Sequence, residues 1–192
     1  SNSGYFLAEG ERTCKEAIDH GWFPKYLIYY NERNKSENID SIIEKCIQEG
    51  GLVLNVSQKI LSKISKKENP QIILGVFQQK LYKINEVRDK KSLAWLVLER
   101  VRDPGNLGTI LRTCNATGVT SIILVGNCCD PFSPESVRAS MGAIFSIKII
   151  NLTKDQFLLW AANKNNKIVT TNLNAKKYYT ECNWGPMPII IM

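Results

Sequence analysis

The sequence is poor in histidine, because His20 is the only one among 192 residues. His20 precedes Gly21 at a predicted helix C-terminus, where the helix dipole favours a protonated imidazole, so we interpret it as a capping residue. No histidine is then left for a Ser-His-Asp triad, and no pair of carboxylates has a context that suggests hydrolysis. The sequence therefore favours a reaction that depends on positioning more than on a strong titratable base.

Long apolar runs and paired cysteine motifs are also missing. No stretch approaches the roughly 18 apolar residues that a membrane-spanning helix needs, and the first residues do not resemble a secretory signal. We therefore expect a soluble protein with no membrane partner. No C-x-x-C pair occurs, so we expect reduced thiols and no metal site. The six cysteines are Cys14, Cys46, Cys114, Cys128, Cys129 and Cys182.

The common glycine-rich phosphate-binding patterns are absent too. Gly105 and Gly108 do not have the spacing of G-x-G-x-x-G, and no G-x-x-x-x-G-K-[ST] pattern occurs. This disfavours nicotinamide-dependent dehydrogenases and P-loop hydrolases. An unrelated nucleotide-binding α/β enzyme is accordingly the weakest of three hypotheses.

Positive charge is in excess and is unevenly distributed. The net charge is +7, with 44% hydrophobic and 22% charged residues, which is ordinary for a globular protein but suits a polyanionic partner. Residues 91–192 carry 11 Lys and Arg against 6 Asp and Glu, whereas residues 1–90 carry 14 against 12. If the partner is a nucleic acid, we expect the second half to contribute much of the attraction.

Hydrophobic periodicity divides the chain into two halves. Residues 1–77 predict a small α/β domain, with a helix near 9–20, a strand at 26–30 and a loop at 31–38. Residues 78–92 are polar and aperiodic and predict a linker between two independently packed domains. Residues 93–192 alternate apolar strands with helices, which predicts a parallel sheet covered on both faces. A strand is expected at 145–150, after a helix that begins at Ser133 and Pro134.

The segment "RDPGNLGTILR" lies where a parallel strand ends and a helix begins. We expect Asn106 to cap this helix and the bare Gly108 to let a ligand or another backbone approach its first turn. Arg112 can point back towards the helix start, so that an amide and a guanidinium meet a phosphate or sugar hydroxyl. Alternatively, Asn106 is only a cap, Gly108 only a packing contact and Arg112 only a surface charge.

These residues carry a resemblance to a known family. "DPGNLGTILRTCNATGVTSIILVG", followed by "SPESVRASMGAIFSIKI", resembles the SpoU (TrmH-type) branch of the SPOUT RNA methyltransferases. The family pattern N-x-G-x-x-x-R is met by Asn106, Gly108 and Arg112, and the pattern R-A-S-x-G-A is met by residues 138–143. "FLAEGERTCKEAIDHGW" resembles a small ribosomal-protein-like domain. The resemblance implies a substrate-binding α/β domain over 1–77 and an α/β-knot methyltransferase domain over 93–192, incomplete at its C-terminus.

The resemblance also implies a function. It implies transfer of a methyl group from S-adenosylmethionine to a ribose 2′-hydroxyl of rRNA or tRNA by a homodimer, in the cytoplasm or alternatively in a mitochondrion or plastid. Asn106 and Arg112 would be catalytic, and Thr171 and Asn172 would contact the cofactor. Because a guanidinium does not readily lose a proton, we expect Arg112 to orient the ribose and stabilise a developing alkoxide. The implied RNA-binding residues are Arg12, Gly108, Arg138 and Ser140.

One departure from the family pattern affects this expectation. The motifs G-x-E-x-G and S-L-N-V should follow a strand such as "PMPIIIM", but the printed sequence ends at Met192. In the family, those segments form the knot and most of the cofactor pocket. We therefore expect an incomplete cofactor site and an inactive chain when these residues stand alone. The alternative hypothesis is an RNA-binding protein of the same fold that has lost catalysis through C-terminal shortening.

Overall fold

The computed structural model describes residues 4–30, 37–87 and 92–192, which form two sheets. The first sheet has the order β1-β4-β2-β3, with β1 at Tyr5–Glu9, β2 at Tyr26–Tyr29, β3 at Leu52–Asn55 and β4 at Ile73–Gln78. The second has the order β7-β6-β5-β9-β8, with β5 at Trp95–Glu99, β6 at Ser121–Val125, β7 at Lys148–Leu152, β8 at Ile168–Thr170 and β9 at Ile189–Ile191. The helices are α1 (Glu11–Asp19), α2 (Glu37–Gln48), α3 (Gln58–Ser65), α4 (Pro104–Thr117), α5 (Pro134–Ser140) and α6 (Lys154–Ala162).

The second sheet confirms the predicted parallel arrangement. Every strand pair in it is parallel, and all five residues of β6 are buried. Alternate residues of β5 enter different cores, because Leu96 and Leu98 pack on one face of the sheet and Trp95 and Val97 on the other. Among the described residues, no helix is long and apolar enough to cross a membrane.

The first sheet is mixed, and its edge strand β1 was not predicted. β1 pairs antiparallel with β4, and its buried residues, Phe6 and Ala8, alternate with partly exposed ones. A period of two over only five residues is a weak sequence signal, so the predicted helix was started too early, at Glu9 rather than Glu11. The predicted strand at 145–150 also begins later, at Lys148, because Phe145 belongs to a 3-10 helix over Ala143–Phe145.

The two sheets share one hydrophobic core. Phe6, Trp22 and Phe77 of the first half pack with Phe132 and Phe145 of the second, with ring centroids 4.9 Å apart for Phe6 and Phe132 and 5.4 Å apart for Trp22 and Phe145. The indole N–H of Trp22 also donates to the carbonyl of Phe145 at 2.9 Å. The expectation that the halves pack independently is therefore corrected, because these five rings are buried against one another.

The described part of the predicted linker lies against the second sheet. The amide of Tyr82 donates to the carbonyl of Ile149 at 2.9 Å, and Val87 is buried in the core on that side. Residues 88–91 of the predicted linker and 31–36 of the predicted loop lie outside the described residues. The boundaries of the predicted domains, 1–77 and 93–192, remain a prediction.

The shared core predicts a single cooperative unfolding transition. Trp22→Ala should lower the free energy of unfolding by about 3–5 kcal/mol, because it removes a buried indole that contacts both halves. Trp22→Phe keeps a ring and loses the hydrogen bond to Phe145, so it should cost less. Thermal denaturation followed by circular dichroism measures both variants. Two separate transitions in the unmodified chain would contradict the shared core.

Candidate active site

The carboxyl edge of the second sheet contains a topological switch point. From β5 the chain proceeds outwards to β6 and β7, then crosses over, and its last strand β9 lies on the other side of β5. In open parallel sheets, ligands bind in the crevice where the strand order reverses. The start of α4 follows β5 at this crevice. Met192 follows β9 there and is fixed by its amide, which donates to the Val97 carbonyl at 2.9 Å.

The first turn of α4 is capped by Asp103 and not by Asn106. A carboxylate oxygen of Asp103 accepts the amide N–H of Asn106 at 2.6 Å, and Pro104 occupies the first helical position. The prediction that Asn106 is the N-cap is therefore wrong. The Asn106 side chain is exposed and has no hydrogen-bond partner within the described parts of the chain.

Gly108 is a packing residue between α4 and α5. A Cβ atom at Gly108 would lie 2.4 Å from the Cβ of Ala139 and 2.7 Å from the carbonyl oxygen of Ser136. The hydroxyl of Ser136 donates to the carbonyl of Pro104 at 3.2 Å, which ties the two helices together. Gly108 was expected to let either a ligand or another backbone approach the helix. The structure shows the close approach of another backbone, that of α5. Its buried position leaves no surface for the expected RNA contact.

Residues of the R-A-S-x-G-A motif, 138–143, also contribute to packing. Ser140 is fully buried and its hydroxyl donates to the carbonyl of Val137 at 2.7 Å, so the structure does not place it where RNA could reach it. Gly142 has a φ of +95°, and a Cβ there would lie 2.8 Å from the Cγ of Glu16. This motif therefore holds α5 against α4 on one side and brings the following turn against α1 on the other.

Arg112 is exposed on α4, two turns beyond the crevice. Six residues correspond to about 9 Å along a helix axis and roughly 120° around it, so Asn106 and Arg112 lie on different sides of α4. No hydrogen bond joins them, and Arg112 has no ion-pair partner among the described residues. Within one chain, the structure does not bring the two predicted catalytic residues together.

Arg12 and Arg138, the other two predicted RNA-binding residues, line one groove between the two halves. Arg138 lies on α5, whose N-terminus has the predicted cap: the Ser133 hydroxyl accepts the amide N–H of Ser136, and Pro134 is the first helical residue. Ser136 and Ala139 face α4, whereas Val137 and Arg138 face the groove. The groove and the start of α4 therefore lie on different sides of α5.

Thr171 and Asn172 follow β8, next to the crevice. The amide and the hydroxyl of Thr171 both point to the carbonyl of Ile191, at 3.0 and 3.4 Å. The side-chain oxygen of Asn172 accepts the amide N–H of Asn174 at 2.8 Å. These hydrogen bonds hold the segment after β8 in place, and a role of Thr171 and Asn172 in cofactor binding stays a prediction.

The thiols and the histidine have structural roles. All six cysteines are free, and burial raises the pKa of Cys14 to about 12 and that of Cys114 to about 11, so these thiols are neutral. His20 is the C-cap residue that follows the last residue of α1, as predicted, and its Nδ1 lies 2.9 Å from the carbonyl oxygen of Glu16. The described residues include no group of three or more His, Cys, Asp or Glu that could hold a metal ion.

Comparison with known proteins identifies the family to which this chain belongs. The sequence model of the SpoU rRNA Methylase family matches residues 94–192, and that of the MRM3-like substrate binding domain matches residues 1–75. A crystal structure of an AdoMet-bound rRNA methyltransferase from Sinorhizobium meliloti is 36% identical, with a TM-score of 0.89 over 99% of this chain and 70% of that one. The fold is that of a SPOUT methyltransferase domain. The chain belongs to the SpoU rRNA methylase family.

Two curated relatives are longer than this chain, which covers only part of each. A 23S rRNA (uridine(2479)-2′-O)-methyltransferase of Streptomyces viridochromogenes is 26% identical over 79% of this chain and 52% of its own length. The human mitochondrial rRNA methyltransferase 3 is 31% identical over 77% of this chain and 35% of its own length. The chain thus spans about half of the first relative and about a third of the second.

The tight contact at Gly108 can be tested by adding one methyl group. Gly108→Ala should destabilise the chain by about 1–3 kcal/mol, because the new Cβ overlaps Ala139 and the Ser136 carbonyl. Gly105→Ala in the same turn is the matched control, since its Cβ would meet only a side-chain oxygen of Asp103, at 3.1 Å. Urea denaturation measures both variants. Equal stability of the two would show that α5 is not held in place at Gly108.

Proposed function

We propose that the protein transfers a methyl group from S-adenosylmethionine to a ribose 2′-hydroxyl of ribosomal RNA. The observation that carries this proposal is the Asn106 amide, which is exposed and has no partner at the start of α4 in a SpoU-family domain. The relatives named above are rRNA methyltransferases, and the Streptomyces relative is named as a 2′-O-methyltransferase. Nothing in these likenesses supports the alternative of an RNA-binding protein that has lost catalysis.

The residues of this chain can position and stabilise the reacting ribose. When bound, the cofactor would supply an electrophilic methyl group and leave as S-adenosylhomocysteine, while the hydroxyl proton would pass to solvent. The Asn106 amide can donate to and accept from ribose hydroxyls, and the guanidinium of Arg112 can bind the adjoining phosphate and the 2′-oxygen as negative charge develops on it. Such fixed donors aimed at developing charge are usually the largest contribution to catalysis. This agrees with a sequence that offers no histidine for the site.

We also propose that the protein acts as a homodimer through the exposed side of α4. Thr109, Arg112, Thr113 and Ala116 are exposed there, and Arg112 lies roughly 120° around the helix from Asn106. A second copy packed on this side would bring its own Arg112 towards a crevice that contains Asn106. Bacterial and mitochondrial relatives support a cytoplasmic location with an organellar alternative.

The cofactor proposal predicts weak binding by these residues alone. Isothermal titration calorimetry of the 192-residue chain with S-adenosylmethionine should detect no micromolar binding, because the hydroxyl of Thr171 and the side-chain oxygen of Asn172 already form hydrogen bonds within the chain. Addition of the cofactor should likewise leave the melting temperature unchanged. Micromolar binding would contradict this prediction and show that the 192-residue chain contains a cofactor pocket.

The role of Arg112 can be tested by single-turnover methyl transfer in the complete protein. Arg112→Ala should slow the chemical step on the order of 100-fold or more, since it removes a contact that strengthens as the 2′-oxygen becomes negative. Arg112→Lys keeps the charge but loses the planar fork, so it should also be impaired. Lys45→Ala, which removes one partly exposed positive charge from α2, is the control. Near-normal turnover of Arg112→Ala would reduce Arg112 to a surface charge.

A further inference from the structure

A groove that is lined by residues from both halves of the chain lies on the other side of α5. It has a volume of about 540 Å³, within the range of small-ligand sites of roughly 300–1,000 Å³. One wall is formed by α5, which carries Arg138. The junction of β1 with α1 and the end of α3 form the other wall, which includes Arg12.

The charges of the groove favour an anion. Four cationic side chains line it, against the two carboxylates of Glu9 and Glu11. Both carboxylates have partners, because Glu9 pairs with Lys67 and Glu11 accepts a hydrogen bond from the Asn38 amide at 2.8 Å. The other three cations have no ion-pair partner among the described residues, and two of them are arginines on opposite walls. These cations are Arg12, Lys66 and Arg138.

The floor of the groove is apolar. Leu7, Ile64, Val137 and Met141 contribute to it, and Met141 is 49% exposed with a left-handed backbone, φ 48°. A paired RNA helix presents phosphates and hydroxyls to a protein and keeps its bases stacked. An unpaired nucleotide offers a phosphate to the arginines and a flat base to an adaptable apolar floor.

Building on the proposed function, we propose that this groove binds an unpaired nucleotide of the substrate RNA, close in sequence to the nucleotide that is methylated. One helix, α5, separates the groove from the start of α4, and a helix with its side chains is about 10 Å wide. The hydrogen bond from Trp22 to Phe145 and the close contact of Gly142 with Glu16 hold the two walls together, so the groove is formed before RNA binds. It therefore recognises an RNA loop and not a paired stem.

The test is RNA binding by the 192-residue chain, measured by fluorescence anisotropy without any methyl donor. The probes are a labelled RNA hairpin with a uridine-rich loop and a blunt duplex with the same stem. Arg12→Ala and Arg138→Ala should each weaken binding of the hairpin about tenfold and lower its salt dependence by about one phosphate contact. Lys45→Ala removes the same charge from α2 and should change binding little.

The apolar floor gives the discriminating variant. Met141→Asn tolerates the left-handed backbone and removes the apolar surface without changing the charge. It should weaken binding of the hairpin several-fold and leave the duplex unaffected. Equal losses for hairpin and duplex in the arginine variants, or an unchanged hairpin affinity for Met141→Asn, would reduce the groove to a general electrostatic surface and overturn the inference. The proposed function fails differently, through absence of methyl transfer by a complete protein that still binds RNA.

Discussion

The contact between Gly108 and Ala139 determines where both candidate surfaces lie. Because Gly108 has no side chain, α5 lies directly on the first turns of α4, and the Ser136 hydroxyl adds a hydrogen bond to the Pro104 carbonyl. The start of α4, with Asn106, is thereby fixed relative to Arg138 on the other side of α5. Interiors are packed too densely for such a pair to slide without cost, so the crevice and the groove keep a constant separation.

A second constraint fixes the first sheet against the second. The five rings that meet between the halves contact each other edge-on or tilted, geometries in which aromatic pairs contribute about 0.5–1.5 kcal/mol beyond the burial of their area. The ammonium of Lys80 lies 4.3 Å from the centre of the Trp22 ring, and its partial burial lowers the pKa of Lys80. The packing of these aromatic rings therefore places Arg12 of α1 opposite Arg138 of α5. Neither arginine belongs to the aromatic core.

Much of the second sheet could be predicted because its strands are apolar on both faces, a pattern that few other arrangements produce. The cap of α4 was mistaken because Asp103 and Asn106 are both good capping residues, and Pro104 at the first helical position is the signal that favours Asp103. The motif glycine and Ser140 were expected to face RNA, since a sequence motif does not distinguish a ligand contact from close packing. The shared aromatic core could not be predicted, because no local period shows that Trp22 will meet Phe145.

Under the proposed function, the residues of α4 would have to stabilise developing charge, since no histidine is offered as a base. A ribose hydroxyl that is held by a neutral amide and a permanently charged guanidinium becomes a better nucleophile through stabilisation of its developing charge. That stabilisation requires both groups at one oxygen, yet Asn106 and Arg112 of a single chain are about 9 Å apart along the axis and on different sides of the helix. Under the proposed dimer, an Arg112 supplied by the second copy meets this requirement. Assembly would then complete the site as well as bury the exposed side of α4.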